Sequence, residues 1–309
     1  MNIAITSYRR PELTKVCLEN LVQLNGIANI FIFIDGLRSG ANNLEEEWRC
    51  ETIRVCEALT ELHSKITLVV WESNIGIVEN SKRSFTPLFE KFHEIIVLEE
   101  DVHFTQEGLN FLTTQLLENK SKLATSYSHF DHLADNKIAR KTLFPTLWGA
   151  GYTGDLFELS MKIHRDQVLD QDLITEILND FLIGDFLYKR RLIKFWKWYF
   201  GFAVKSGRHP DVLLQYASWQ MNCFASAPTS TYSEDLSRLD FRGMNPRVSE
   251  NSRLLHESNY SEGFQSDFCS ICERYSSRIE PSSIRHYGKS LMWRLRSSCS
   301  AGQSSTILE

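Results

Sequence analysis

Three carboxylates stand in a row at Glu99, Glu100 and Asp101, directly after the apolar run Ile95 to Leu98. Like charges this close repel, so something must balance them. Water does so if the loop is exposed. A divalent cation does it better, and Mg2+ or Mn2+ prefers oxygen ligands shared with phosphate. In an extended chain Glu99 and Asp101 point to one side and Glu100 to the other. Three more polar groups follow apolar runs: Thr6-Ser7-Tyr8-Arg9-Arg10-Pro11, Asp35-Gly36, and Glu72-Ser73-Asn74-Ile75-Gly76. Each admits a plainer account. Arg10 can solvate the helix that Pro11 opens, Asp35-Gly36 can be a turn, and Asn80 and Arg83 can be a solvent-facing helix surface.

The elements that must carry these groups alternate. Short apolar runs at Ile3 to Thr6, Asn29 to Ile34, Ile66 to Trp71 and Ile95 to Leu98 predict strands. Between them the apolar residues recur at helical spacing: Pro11 to Leu24, Leu44 to His63, and Val78 to Lys91. Strand and helix in alternation predict an α/β domain with a mostly parallel central sheet flanked by helices. In such sheets ligands sit beyond the carboxyl ends of the strands, where all four polar groups fall. Further on the signal weakens. Leu109 to Leu123, Phe157 to Leu169 and Leu173 to Leu187 read as helices, and Ile138 to Pro145 as extended chain. The run Leu147-Trp148-Gly149-Ala150-Gly151-Tyr152 suits either a tight turn or backbone approaching a ligand. Residues 251–309 are polar and Ser-rich, and Ser297 to Glu309 is expected to be disordered.

Composition bounds the function. The 309 residues suffice for a sizeable core, and a formal net charge of -5 argues against broad nucleic-acid binding. No run of eighteen apolar residues marks a membrane span, and the N-terminus lacks a signal-peptide pattern. Seven irregularly spaced cysteines are expected to be reduced thiols of a cytoplasmic protein. Cys269 and Cys272 form a CxxC pair, and two ligands alone do not make a zinc site.

Taken in order, strand-Thr-Ser-Tyr-Arg-Arg-Pro, then Asp-Gly, then Asn-x-Gly, then strand-Glu-Glu-Asp resembles the nucleotide-binding half of GT-A fold (Rossmann-like) glycosyltransferases. The family-2 type is the nearest in kind, with the related N-acetylglucosaminyltransferases whose metal motif is Glu-Asp-Asp. The resemblance covers residues 1–105 and in outline reaches about residue 245. It implies a nucleotide-sugar half at 1–105, an acceptor half at 106–250, and a C-terminal extension at 251–309. It further implies that Thr6, Ser7 and Arg10 line the base and phosphates, and that Asp35 bonds the base or ribose. Asn74, Gly76, Asn80 and Arg83 would close the pocket, Glu100 would lie near the ribose or sugar, and Asp101 would bind Mn2+ or Mg2+. The chain departs from the family at Glu100, where Asp is usual, and it has no His at Arg242 to Asn245, where some relatives carry an extra ligand.

The expected activity is inverting transfer of a sugar from a nucleotide diphospho-sugar to a glycan or lipid-linked hydroxyl, as in polysaccharide biosynthesis. Such a reaction needs a carboxylate base. Asp211, in His209-Pro210-Asp211-Val212, is the first candidate, with a helix N-cap as its plainer role. Asp155 comes second, and Glu234 with Asp235 third. Residues 187–202 mix basic and aromatic side chains. They suit either a core-packed helix whose Lys and Arg reach water or a peripheral membrane contact. The alternatives to this activity are a nucleotidyltransferase on a related sheet and a glycan-binding module without turnover. No Gly occurs in residues 6–11, which weighs against the nucleotidyltransferase.

Overall fold

The computed structural model describes residues 1–118, 120–127, 139–142, 145, 147, 149–181, 186–207, 209–228 and 233–235. Strands β1 (Asn2–Ser7), β2 (Asn29–Ile34), β3 (Ile66–Val70) and β4 (Glu94–Glu99) alternate with helices α1 (Pro11–Gln23), α2 (Asn43–Leu62) and α3 (Ile77–Phe89). Local chemistry sets the boundaries. Pro11 opens α1, where its missing N–H costs nothing. The Asn42 side chain caps α2 by accepting from the Glu45 N–H. Gly76 precedes α3 with φ at +80°, a backbone state that glycine adopts without strain.

Strand β5 (Val102–Phe104), helix α4 (Gln106–Thr113) and a π turn at Thr114–Glu118 follow. Next come strands β6 (Leu123–Thr125), β7 (Ala139–Thr142) and β8 (Ala150–Thr153). Helices α5 (Gly154–Asp166), α6 (Gln171–Phe181), α7 (Phe186–Ser206) and α8 (Pro210–Gln220) lead to strands β9 (Ala225–Pro228) and β10 (Ser233–Asp235). Eight strands form one sheet in the order β3-β2-β1-β4-β8-β6-β9-β7. The first four are parallel. Strand β8 runs antiparallel to both β4 and β6. The fold is thus mixed α/β, with a mostly parallel central sheet flanked by helices, as the alternating pattern predicts.

Parallel strands buried on both faces explain the near-continuous apolar runs of the first half. On one face Ile3, Ile5, Ile30 and Ile32 pack with Cys17, Leu18 and Leu21 of α1 and Cys56 of α2. On the other, Ala4, Phe33 and Ile95 pack with Phe85 of α3, Phe157 of α5, and Tyr216 and Trp219 of α8.

The second half departs from expectation in three places. The helix predicted over Leu109 to Leu123 ends in the π turn, because the buried triplet Leu123-Ala124-Thr125 pairs with β8 instead. Helix α5 starts at Gly154 and stops at Asp166, where Gln167 turns left-handed at φ 51°. The helix predicted over Leu173 to Leu187 is divided between α6 and α7. Trp148, Arg242 to Asn245, Cys269, Cys272 and the extension 251–309 lie outside the described residues.

A candidate active-site cleft at the carboxyl edge of the sheet

Thr6 of β1 is in register with Glu99 of β4. The pleat sends Thr6 and Ser7 to opposite faces. Ser7 is buried on the α1 side, where its hydroxyl lies 2.8 Å from the Thr14 hydroxyl. Thr6 and Glu99 instead share a cleft on the other face with Ser81 and Phe85 of α3, Phe157 and Met161 of α5, and Asp211 and Leu214 of α8. The enclosed part of this cleft measures about 80 Å³.

Asp211 is not an N-cap. His209 occupies that position, Pro210 opens α8, and Asp211 stands in its first turn. Its side chain is open to solvent, yet it lies deep among protein atoms. Burial pushes its carboxyl above the usual range, opposed by His209 and by the helix N–H groups. Glu99 is likewise open to the cleft, and its carboxyl is pushed up to about 8. Burial is the chief cause, followed by the charges of Asp101, Glu100 and Asp211, with Arg10 acting in the opposite sense. Two carboxylates, one from the sheet and one from α8, therefore sense each other across the cleft.

The acidic triplet divides differently from the extended-chain expectation. Strand β4 ends at Glu99, and Glu100 and Asp101 form the turn into β5, so side-chain alternation stops there. Both turn carboxylates are buried and both meet Arg10. Arg10 Nε lies 2.9 Å from Glu100 Oε1, and Nη1 donates to Asp101 Oδ2 at 2.6 Å. Burial opposes the guanidinium's charge, but the two carboxylates outweigh it and hold its pKa above the ordinary value.

Asp35 and Asn74 form a clamp beside this group. The Asp35 carboxylate accepts from the Gly36 N–H at 2.8 Å, the Ile75 N–H at 3.3 Å and Asn74 Nδ2 at 2.9 Å. Most of its hydrogen-bonding capacity is thus spent holding the ends of β2 and β3 together. Burial nevertheless dominates and raises its pKa. A Cβ on Gly36 would overlap the Ser73–Asn74 backbone, so the two loops cross at van der Waals contact. Arg49 adds bonds to the backbone carbonyls of Asp35 and Trp71, at 2.8 and 2.7 Å.

Three expected site residues lie elsewhere. Asn80 is buried in α3, where Oδ1 accepts from Trp71 Nε1 and Ser84 Oγ, both at 2.9 Å. Arg83 pairs with Glu79 on the outer surface of that helix, the plainer of its two predicted roles. Asp155 is carried to the far end of the sheet. Because β8 runs antiparallel, Thr153 pairs with Glu94 at the start of β4, five residues and about 16 Å from Glu99. There Asp155 meets Lys122 and Thr153, whose bonds outweigh burial and hold its carboxyl below the usual range. Strand β10 pairs with β5, placing the backbone of Glu234 opposite His103 and of Asp235 opposite Val102, next to the acidic turn.

Two features had no signature in the sequence. Glu99 faces Asp211, although 112 positions separate them. Arg9 is 3% exposed and pairs with Glu45, which also binds Arg38 Nη2 at 2.6 Å. This ion pair fixes the loop after β1 to the start of α2, and nothing in local spacing announces it.

Among the described residues no three His, Cys, Asp or Glu side chains converge as a metal site. Asp101 offers one carboxylate beside Glu100 and Arg10. That donor set matches Mg2+ or Mn2+ sites in which one or two carboxylates are completed by water and substrate phosphate. It fits a cation carried in with a diphosphate rather than one caged by protein alone.

No protein-family model and no curated protein matches the chain. Among solved structures it is similar to a mannosyltransferase, PcManGT, from Pyrobaculum calidifontis in complex with GDP-Man and Mn2+. The TM-score is 0.37 and the identity 10%, over 71% of this chain and 69% of that one. It is also similar to S. aureus TarS in complex with UDP-GlcNAc, at a TM-score of 0.36 and 11% identity, over 51% and 46% of the two chains.

Proposed function

We propose that this chain is a glycosyltransferase that moves a sugar, with inversion, from a nucleotide diphospho-sugar to a hydroxyl of a glycan or lipid-linked acceptor. One observation carries the reading. A carboxylate on a helix start, Asp211, faces the carboxyl edge of a parallel sheet across a cleft, with Thr6 and Glu99 on the opposite wall and the Arg10–Glu100–Asp101 group in the turn that directly follows Glu99. That juxtaposes a proton acceptor with a charged group suited to a diphosphate.

In this reading Asp211 takes the proton of the attacking hydroxyl. Its raised pKa strengthens it as a base while still leaving it ionised once the pH exceeds that value. Asp101 would hold Mn2+ or Mg2+ together with the donor's phosphates, and when bound the cation neutralises charge on the departing nucleoside diphosphate. Arg10 orients Glu100 and Asp101 and supplies a second positive charge beside the phosphates. Thr6 lies on the cleft side for donor contact. Ser7 supports the wall through Thr14, and Asp35, Asn74 and Gly76 shape the rim that the base or ribose would meet. The enclosed 80 Å³ is well below the roughly 300 Å³ at which small-molecule pockets begin. It suits a reacting sugar hydroxyl, with the nucleotide extending outside along the strand ends. Residues 1–105 would then bind donor and 106–250 acceptor, with 251–309 an extension, at the cytoplasmic side of a membrane.

The decisive experiment compares Asp211→Asn with Asp101→Ala. Asp211→Asn should lower the transfer rate by about 10²- to 10⁴-fold while nucleotide-sugar still raises the melting temperature. Asp101→Ala should abolish the Mn2+-dependent part of that thermal shift. Full transfer activity in Asp211→Asn would overturn the assignment of the base. Release of pyrophosphate instead of a nucleoside diphosphate would overturn the reaction class.

A further inference from the structure

Helix α7 carries six Lys or Arg residues between Phe186 and Ser206 and no Asp or Glu, in a chain whose formal net charge is -5. Its two faces are distinct. Trp196, Phe200, Ala203 and Val204 are buried, and Phe200 meets Trp219 of α8 edge-on at 4.9 Å. Along the opposite face run Arg190, Lys194, Trp198, Phe202 and Lys205, about one helical turn apart. Arg190, Lys194 and Lys205 are exposed. Trp198 is 45% exposed and stacks on Phe202 at 5.8 Å. None of Arg190, Lys194, Lys197 and Lys205 enters an ion pair with a described residue.

The helix is long, but among the described residues no helix is long and apolar enough to cross a membrane. We infer that this outer face of α7 is a docking surface for an anionic phospholipid bilayer, lying in the headgroup plane with Trp198 and Phe202 inserted and the basic residues against lipid phosphates. A helix with Lys and Arg interleaved with Trp and Phe has the composition of an interfacial binder. Concentrated positive charge on an otherwise acidic protein supplies the complementarity. The stripe faces outward, away from a core that already seats the helix through its inner face. It also adjoins the cleft: Tyr199 and Phe202 contact the His209 ring, two residues before Asp211. Docking by this face would bring the mouth of the cleft towards the headgroups. The inference concerns membrane binding and holds whether or not the chain transfers sugar.

The test is co-sedimentation of the full chain with phosphatidylglycerol and phosphatidylcholine vesicles at low and high salt. Binding to phosphatidylglycerol that weakens in high salt is expected, with little binding to phosphatidylcholine. Lys194→Ala with Lys205→Ala should weaken it by about thirtyfold, at roughly fivefold per charge lost. Trp198→Ser should remove the part of binding that survives high salt. The two lysines carry no described packing role, so their variant should fold even if Trp198→Ser does not, and circular dichroism checks this. Equal sedimentation of wild type and the lysine variant, or absence of binding to phosphatidylglycerol, would overturn the proposal. So would a lipid-free dimer, seen by sedimentation velocity, that Trp198→Ser dissociates.

Discussion

At the scale of single residues, Glu99 shows how burial, followed by neighbouring charge, sets a carboxyl's behaviour. Its folded pKa of about 8 stands above the ordinary 4.5, so the folded chain binds a proton there that the unfolded chain releases. Stability attached to this group is therefore present below about pH 4.5 and lost as pH rises towards 8. Glu99→Gln removes the penalty. In metal-free buffer its melting temperature should match wild type near pH 4.5 and exceed it increasingly up to pH 8. A constant gap across that range would refute the assignment. Glu45 presents the opposite case, a buried carboxylate matched by Arg9 and Arg38. Glu45→Ala removes the carboxylate that Arg9 and Arg38 share and should cost about 1–3 kcal/mol in urea unfolding. Asp101, Asp35 and Arg10 were visible in the sequence because each sits next to a strand end or helix start that local patterning reveals. The partners of Glu99 and Arg9 were not, since contacts across 112 and 36 positions leave no periodic trace.

Secondary-structure elements determine which candidates can meet. The four parallel strands were legible because each is a short apolar run followed by a helical pattern, and their order placed Thr6 level with Glu99. Strand β8 was not legible. Its four residues, Ala150-Gly151-Tyr152-Thr153, read equally well as a turn, and nothing local states that they run antiparallel to β4. That single reversal moves Asp155 to the opposite end of the sheet from Glu99 and the proposed base Asp211. Asp155→Asn should accordingly leave transfer within about threefold of wild type under the same assay that registers Asp211→Asn. A loss comparable to that of Asp211→Asn would show that the two ends communicate. The crossing of the loops after β2 and β3 at Gly36 leads to a second expectation. Gly36→Ala must push the Ser73–Asn74 backbone aside and break the Asp35 clamp. A stability loss of about 1–3 kcal/mol is expected from such overpacking, together with weaker nucleotide binding. Nucleotide affinity equal to wild type would show that the clamp does not shape the donor site.

Across the whole molecule, one sheet joins the proposed donor side to the proposed acceptor side. The pairing of β4 with β8 continues it without a gap, so the proposed halves 1–105 and 106–250 are not separable bodies. Expressed alone, residues 1–105 would present the bare edge of β4 and lose the cover that α5 and α8 give Phe85. The fragment should aggregate or lack a cooperative melting transition by circular dichroism. Cys17 and Cys56 lie fully buried between α1, α2 and the sheet, their thiols pushed up by desolvation, that of Cys56 to about 12. Cys17 also feels the charges of Glu100 and Asp101, so it sits beneath the acidic turn. The molecule thus contains its own clock for opening. With Cys56 replaced by Ala and Cys50, Cys223, Cys269, Cys272 and Cys299 by Ser, Cys17 is the one thiol left, and its modification rate by a thiol reagent would count how often α1 lifts from the sheet. A donor that binds over the turn should slow that clock by the same factor by which it stabilises the closed state.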